Sequence, residues 1–395
     1  MMTGTLQIPA DLRPETRASE RAFSRVEVFE TAERIAAAWA ELEACPFGSV
    51  YQTRAFCLPW TETLGRKAGY RPLFVLARDE TDCPVALFAL GIVRRGPLRV
   101  AMWLGGKDSN FNLPLLRNPA AWTGRELRRL LRLAAKCCRS DKPHLFELLN
   151  QPFHWAGMHN PMTGLPHGPS PSAAFATALD GSAEAVFAAK FSKDARKKLR
   201  KKAGKLETFG PVSYEVVSTL EQQQAVLSAF LAQKTERFRQ KGISSEFETP
   251  EMRAFIEYAS QPSGRGIELH ALRVGARIVA IYGGGAHNGQ WSGMFNSFDA
   301  DEEIARCSPG DLLLLRIVER CCQAGLTRFD LGIGEARYKA ALCDEEVRLF
   351  DSFVPVSTIG LAYAAAGLAR QRFKGVVKRN ARLLALARRV RGRVG

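Results

Sequence analysis

The 395-residue chain contains no apolar run approaching the ~20 residues that a membrane-spanning helix needs. Its longest, Val85 to Val93, is the length of a strand. The first 24 residues mix Asp11, Arg13, Glu15, Arg17 and Glu20 with Pro and Ser and hold no apolar core, so they read as a disordered N-terminus, not a secretory leader. The chain is therefore expected in the cytoplasm. Nine cysteines form no CxxC pair, which argues against a zinc ribbon or a dithiol redox motif. Set among Leu, Ile and Ala, most of them read as small core residues. The six histidines show no HExxH or HxxxH spacing; His154, His159 and His167 fall in a Pro/Gly-rich stretch, and no metal is expected. Gly283-Gly-Gly285 completes no GxGxxG and reads as a strand edge where backbone approaches backbone. No serine nucleophile elbow is present either.

What the chain does have is globular composition, 46% apolar and 24% charged, in a length that suits two ordinary domains. Its net charge of +16 is concentrated. Residues 193–205 set eight Lys/Arg against Asp194, residues 352–395 hold ten and no acid, and the rest is close to neutral. Such asymmetry points to an anionic ligand or surface.

The order of elements repeats. In residues 25–150 a helical pattern covers Thr31–Glu43 and strands fit Leu73–Ala77, Val85–Val93 and Arg99–Leu104. Thr123-Gly-Arg-Glu126 then opens a helix in capping-box form, followed by strand Leu145–Leu149. Residues 151–176 form a Pro/Gly-rich linker. In residues 177–356 strands fit Glu268–Val274, Ile278–Gly284 and Gln290–Phe298. Ser308-Pro-Gly-Asp311 opens helix Leu312–Ala324, stopped by Gly325, and strand Arg328–Ile333 follows. Phe146-Glu-Leu148 and Phe329-Asp-Leu331 occupy matching places in the two halves, which favours an internal duplication. Residues 357–395 form a basic helical tail.

A helix N-terminus presents unpaired N–H groups and a partial charge of about +0.5, which suits a pyrophosphate. Ser308, Gly310 and Arg306 are the candidates for holding one; the alternative is an ordinary capped core helix. Phe187, Phe191, Ala195 and Leu199 recur every four residues, so Ala183–Leu206 is predicted to be one helix with a basic back. That back is either a solvated face or a contact for an anionic substrate, lipid or nucleic acid. In the tail, Leu361, Leu368, Phe373, Val376, Leu383 and Leu386 among ten cations fit an interfacial helix on an anionic membrane surface, or a helix packed on the body.

Lys197-Lys-Leu-Arg200, Ser308-Pro-Gly310, Asp330-Leu-Gly-Ile-Gly334 with Tyr338-Lys339, Trp103-Leu-Gly105 and Asn110-Phe-Asn-Leu-Pro114 together resemble the CelD/BcsL-like acetyltransferases associated with bacterial cellulose synthesis. That family lies within the GNAT superfamily and is related to the Fem aminoacyltransferases. The Gln/Arg-x-x-Gly-x-Gly/Ala phosphate loop best known in GNAT enzymes is absent; Arg306-x-x-x-Gly310 is a degenerate form. The resemblance implies an α/β (α+β) tandem GNAT-like fold, two mixed-sheet halves with flanking helices. It further implies acyl transfer from acetyl-CoA, or another acyl-CoA, to a small-molecule or glycan amine acceptor in polysaccharide or envelope synthesis. A Fem-like transfer from aminoacyl-tRNA and a non-catalytic module binding a synthase partner or membrane are the alternatives. In a GNAT-like site backbone N–H groups of Phe295, Asn296 and Ser297 stabilise the oxyanion and Tyr338 protonates the leaving thiolate, the alternative being a tyrosine that only packs. Asp330, on a strand just before the Gly332/Gly334 segment, is the candidate base, the alternative being a cap on that segment, and Lys197, Arg200 and Lys339 are the candidates to meet the acceptor.

Overall fold

The computed structural model describes residues 21–379 apart from 241, 243–245 and 265. Most of the segment expected to be a disordered N-terminus, and the tail from residue 380, lie outside the described residues. Ala22 and Phe23 are described and buried, with the Phe23 ring stacked on Trp122.

An antiparallel meander founds the first sheet: β1 (Arg25–Phe29), then α1 (Ala36–Glu43) and α2 (Arg54–Trp60), then β2 (Arg71–Arg78), β3 (Pro84–Arg95) and β4 (Leu98–Trp103). Short β5 (Leu115–Leu116) pairs with β3. α3 (Gly124–Cys137) crosses over, and β6 (Leu145–Pro152) returns parallel to β4. The crossover is driven by one apolar stripe, Leu127, Leu130, Leu131 and Ala134, all fully buried. Thr123 caps α3 by accepting from the Glu126 N–H, as the sequence predicts.

Residues 153–178 carry the hairpin β7 (His154–Trp155) and β8 (Met158–His159), then β9 (His167–Pro169) and β10 (Ala174–Ala178). Two helices follow, α4 (Ala183–Lys190) and α5 (Lys193–Glu207), where the periodicity predicts one. The break is at Phe191-Ser192: Ser192 leaves helical backbone and its hydroxyl accepts from the Ala195 N–H, starting a new helix.

The second sheet repeats the first. β11 (Val212–Val216), α6 (Leu220–Gln240) and α7 (Pro250–Ala259) lead into the meander β12 (Glu268–Val274), β13 (Arg277–His287) and β14 (Gln290–Phe298). After α8 (Glu302–Arg306) and α9 (Pro309–Gln323), β15 (Arg328–Ile333) pairs parallel to β14. The described residues close with α10 (Arg337–Leu342), β16 (Glu345–Val347), β17 (Leu349–Pro355) and α11 (Thr358–Arg379).

The halves exchange strands. β10, which follows the first sheet in sequence, pairs with β15 and β16 in the second sheet. β17, which follows the second, pairs with β6 and β9 in the first. One hydrophobic core accordingly runs from Phe23 through Phe146 to Phe230, Ile281 and Phe350.

Candidate functional site

β14 and β15 stay together for only three pairs, Gln290↔Arg328, Trp291↔Phe329 and Ser292↔Asp330. Beyond Ser292 they diverge, leaving backbone groups on facing edges without sheet partners. β14 holds its other neighbour to Phe298, with a register shift at Gly283/Gly284 that bends it. The glycine run makes this possible on a central strand, not at a sheet edge as the sequence suggests. A Cβ on Gly283 would stand 2.2 Å from the Phe295 ring, and one on Gly284 would stand 2.3 Å from Trp291.

Asp330 lies at the fork and is fully buried. Its carboxylate accepts from Gln290 Nε2 (2.8 Å), Ser292 Oγ (2.5 Å) and the Gly332 N–H (3.0 Å). Burial pushes this carboxyl up to about 6, against the pull of those donors. The first half offers a contrast at the equivalent position. There Glu147 is also buried, but Arg95 Nη1 meets it at 2.6 Å and a neighbouring hydroxyl, Tyr363, lies 2.8 Å from the same nitrogen. The second half leaves its carboxylate hydrogen-bonded by neutral donors only, with Arg328 acting on it from a distance, and burial outweighs them.

Two residues of the first half close over the fork. Asn110 Nδ2 donates to the Tyr51 hydroxyl (2.7 Å) and to the Gly293 carbonyl of β14 (3.3 Å), while Asn110 Oδ1 accepts from the Ile333 N–H of β15 (3.1 Å). Tyr51 is itself buried; desolvation and the Asp330 charge both raise its phenol well above the ordinary range.

The start of α9 lies beyond the far end of β14. Ser308 has a left-handed backbone (φ +52°) and makes no side-chain cap, so the predicted capping box is not formed. Its hydroxyl instead accepts from Lys202 Nζ of α5 at 2.7 Å. A non-glycine residue in this conformation costs on the order of 1–3 kcal/mol, a strain that tends to sit at functional positions. Gly310 faces Phe298, 3.7 Å from where its Cβ would be, and Arg237 of α6 lies over that same Phe298 ring. Arg306 turns to Glu302 and Glu303 of its own short helix. The cations beside this helix start are thus Lys202 and Arg237, with Arg306 neutralised nearby. Burial raises the Asp311 carboxyl, with Lys202 opposing.

Of the other sequence candidates, Phe295 packs on Phe230 and Phe247. Ser297 donates to Gln233 Oε1 at 2.6 Å. Asn296 and Tyr338 both act on the buried Tyr282 phenol, whose ionisation burial holds well above the ordinary range, which brings the two beside β13. Lys339 is buried, its ammonium donating to the carbonyls of Gly332 (3.2 Å) and Ile333 (2.9 Å). It ties down the turn after β15. Lys197 is exposed on α5, and Arg200 borders a separate groove of about 680 Å³ with Phe187, Phe191, Leu312 and Arg316. Residue patterns alone did not reveal Tyr51, Asn110, Lys202 or Arg237 as neighbours of the site. The asparagine motif at 110 was the available signal, without a partner to attach it to.

Residues 193–340, from α5 into α10, match the family model described as an acetyltransferase (GNAT) domain. No curated protein sequence matches the chain significantly. Among solved structures, FemX is 9% identical, aligns over 82% of this chain and 96% of its own, and gives a TM-score of 0.58. A conserved protein of unknown function from Bacteroides thetaiotaomicron VPI-5482 is 14% identical over 84% of this chain and 100% of that one, with a TM-score of 0.55. The C-terminal domain of a putative lysylphosphatidylglycerol synthetase from Agrobacterium fabrum is 14% identical over 86% and 97%, with a TM-score of 0.50. At such identities the likeness is one of fold, and it runs through both halves. The architecture is that of a tandem GNAT-like α/β protein, and the stretch that matches the GNAT domain model lies in its second half.

Proposed function

We propose that the chain is an N-acyltransferase that passes an acyl group from acyl-CoA, acetyl-CoA being the simplest, to an amine. The observation that carries this reading is the fork of β14 and β15 within the stretch that matches the GNAT domain. It offers an extended donor two strand edges, with the Lys202–Ser308 helix start beyond the end of β14 for its phosphates. The amine nitrogen attacks the thioester carbon, and β14 N–H groups at Phe295–Ser297 stabilise the oxyanion. The C–S bond then breaks, the thiolate takes a proton from Tyr338, and the surplus proton on the new amide nitrogen restores the Tyr338 phenol. Asp330, ionised above about pH 6, receives the proton that the ammonium must lose. A place in exopolysaccharide or envelope synthesis rests on the CelD/BcsL-like motifs. Mass spectrometry of ligands co-purifying with the protein, followed by a thiol-release assay with acetyl-CoA and an amine panel, tests the proposal. Saturable binding with turnover supports it, and absence of any CoA species or CoA affinity refutes it.

The exposed basic surface of α5 favours a second reading, a Fem-like transfer from aminoacyl-tRNA. Lys197, Lys198, Arg200 and Lys201 are all exposed there, as a phosphate backbone requires. Binding of charged tRNA, lost steeply between 50 and 200 mM salt, would select it over acyl-CoA.

A further inference from the structure

The contacts of Asn110 have no obvious structural purpose. The residue belongs to the loop between β4 and β5 of the first half, yet its side chain bonds to backbone 183 and 223 residues away. Its carboxamide offers an N–H to the β14 edge and a C=O to the β15 edge, the two contacts that a peptide-like amide makes when it lies between strands. The fit is close: a Cβ on Gly332, whose φ is +72°, would stand 2.2 Å from Asn110 Nδ2. The next residue, Phe111, is anchored by Gln52 Nε2 on its carbonyl (3.0 Å) and by burial. Asn110 can therefore swing away without dismantling the loop.

We infer that Asn110 stands in for the donor's amide in the fork, and that the donor's pantetheine arm binds only by displacing it. The inference rests on the acyl-CoA reading above and adds a residue that sets specificity: a donor must supply an amide able to replace both strand contacts of Asn110, while Asn110 also gives up its bond to the Tyr51 hydroxyl. A short acyl phosphate or a free thioester lacking such an amide leaves Gly293 C=O and Ile333 N–H unpaired and is rejected. The first half thereby takes part in donor choice although the GNAT match lies wholly in the second.

Calorimetric titration tests this with two probes, CoA and adenosine 3′,5′-bisphosphate, the latter carrying the nucleotide phosphates without the amide arm. In Asn110→Ala the competing amide is gone, and CoA affinity is expected to tighten roughly tenfold while the bisphosphate is unaffected, since removing a competing closed state lowers the apparent Kd. Asn110→Ser, too short to span the fork, should behave alike and guards against a folding defect in the alanine variant. Unchanged or weaker CoA binding in both folded variants overturns the inference and leaves the acyl-CoA reading standing. Equal tightening for both probes also overturns it, because that reports general loosening. If neither probe binds the wild type or either variant, the acyl-CoA reading falls and the inference falls with it.

Discussion

At the residue scale the proposed chemistry turns on one carboxyl group. Asp330 titrates near 6 in the folded chain against an ordinary value of 3.8. A raised carboxyl favours the protonated form in the native state. Its contribution to stability is therefore fully present below pH 3.8 and is lost as pH rises through about 6. The loss approaches a limit on the order of 3 kcal/mol. Asp330→Asn removes this dependence, so the variant should gain on the wild type by that order between pH 4 and pH 7.5 in urea titrations, whatever its offset at pH 4. A constant difference across that range would mean that Asp330 does not titrate there. Activity moves the other way. The wild type should lose turnover below about pH 6, and the variant should be slow at neutral pH and recover partly as pH rises and the amine deprotonates itself. The sequence showed that Asp330 lies on a strand just before the Gly332/Gly334 segment, but not what surrounds it. Gln290 and Ser292 reach it only because β14 runs parallel beside β15.

At the element scale, local patterns specified the working strands well. Glu268–Val274, Gln290–Phe298 and Arg328–Ile333 have the limits that alternation and turn residues predict. The start of α9 shows where such reading stops. Ser-x-x-Asp spacing predicts a capping box, yet Lys202, 106 positions earlier, takes the Ser308 hydroxyl, a contact no local pattern encodes. That contact makes a prediction about the phosphate end of the donor. Gly310 has room for a methyl group beside Phe298, so Gly310→Ala should bind CoA nearly as the wild type does. Gly310→Glu puts a negative charge at the same point and should abolish binding while the protein stays folded. Lys202→Ala removes one charge-assisted contact and should weaken CoA roughly five- to tenfold, with a shallower salt dependence. Calorimetry at 50 and 200 mM salt distinguishes these outcomes. Unchanged affinity in a folded Gly310→Glu protein would move the phosphates elsewhere.

At the scale of the whole molecule, strand exchange makes the two halves one folding problem. β10 and β17 each complete the other half's sheet, and their pairing partners are far away in sequence, so neither destination was visible in local composition. α11 depends on that exchange. It packs on β17, where Gly367 lies against the Phe353 ring and Gln371 bonds to Asp351, and Tyr363 meets Arg95. Leu361 is left 60% exposed and Ile359 43% exposed on the outer side. Residues 380–395, outside the described residues, add Arg382, Arg388, Arg389, Arg391 and Arg393 without an acid. Cutting at residue 357 would uncover Phe353 and the Arg95–Glu147 pair and confuse unfolding with loss of binding. Deleting 380–395 alone spares the α11 contacts. Each cation near an anionic bilayer contributes about 1 kcal/mol, so five lost arginines should lower vesicle affinity on the order of a thousandfold. The full chain should therefore sediment with vesicles rich in anionic lipid, release at high salt and ignore neutral vesicles, and the 380–395 deletion should stay in solution with both. Equal sedimentation with neutral and anionic vesicles, or a deletion that binds as the full chain does, would show that the tail's charge serves something other than a membrane.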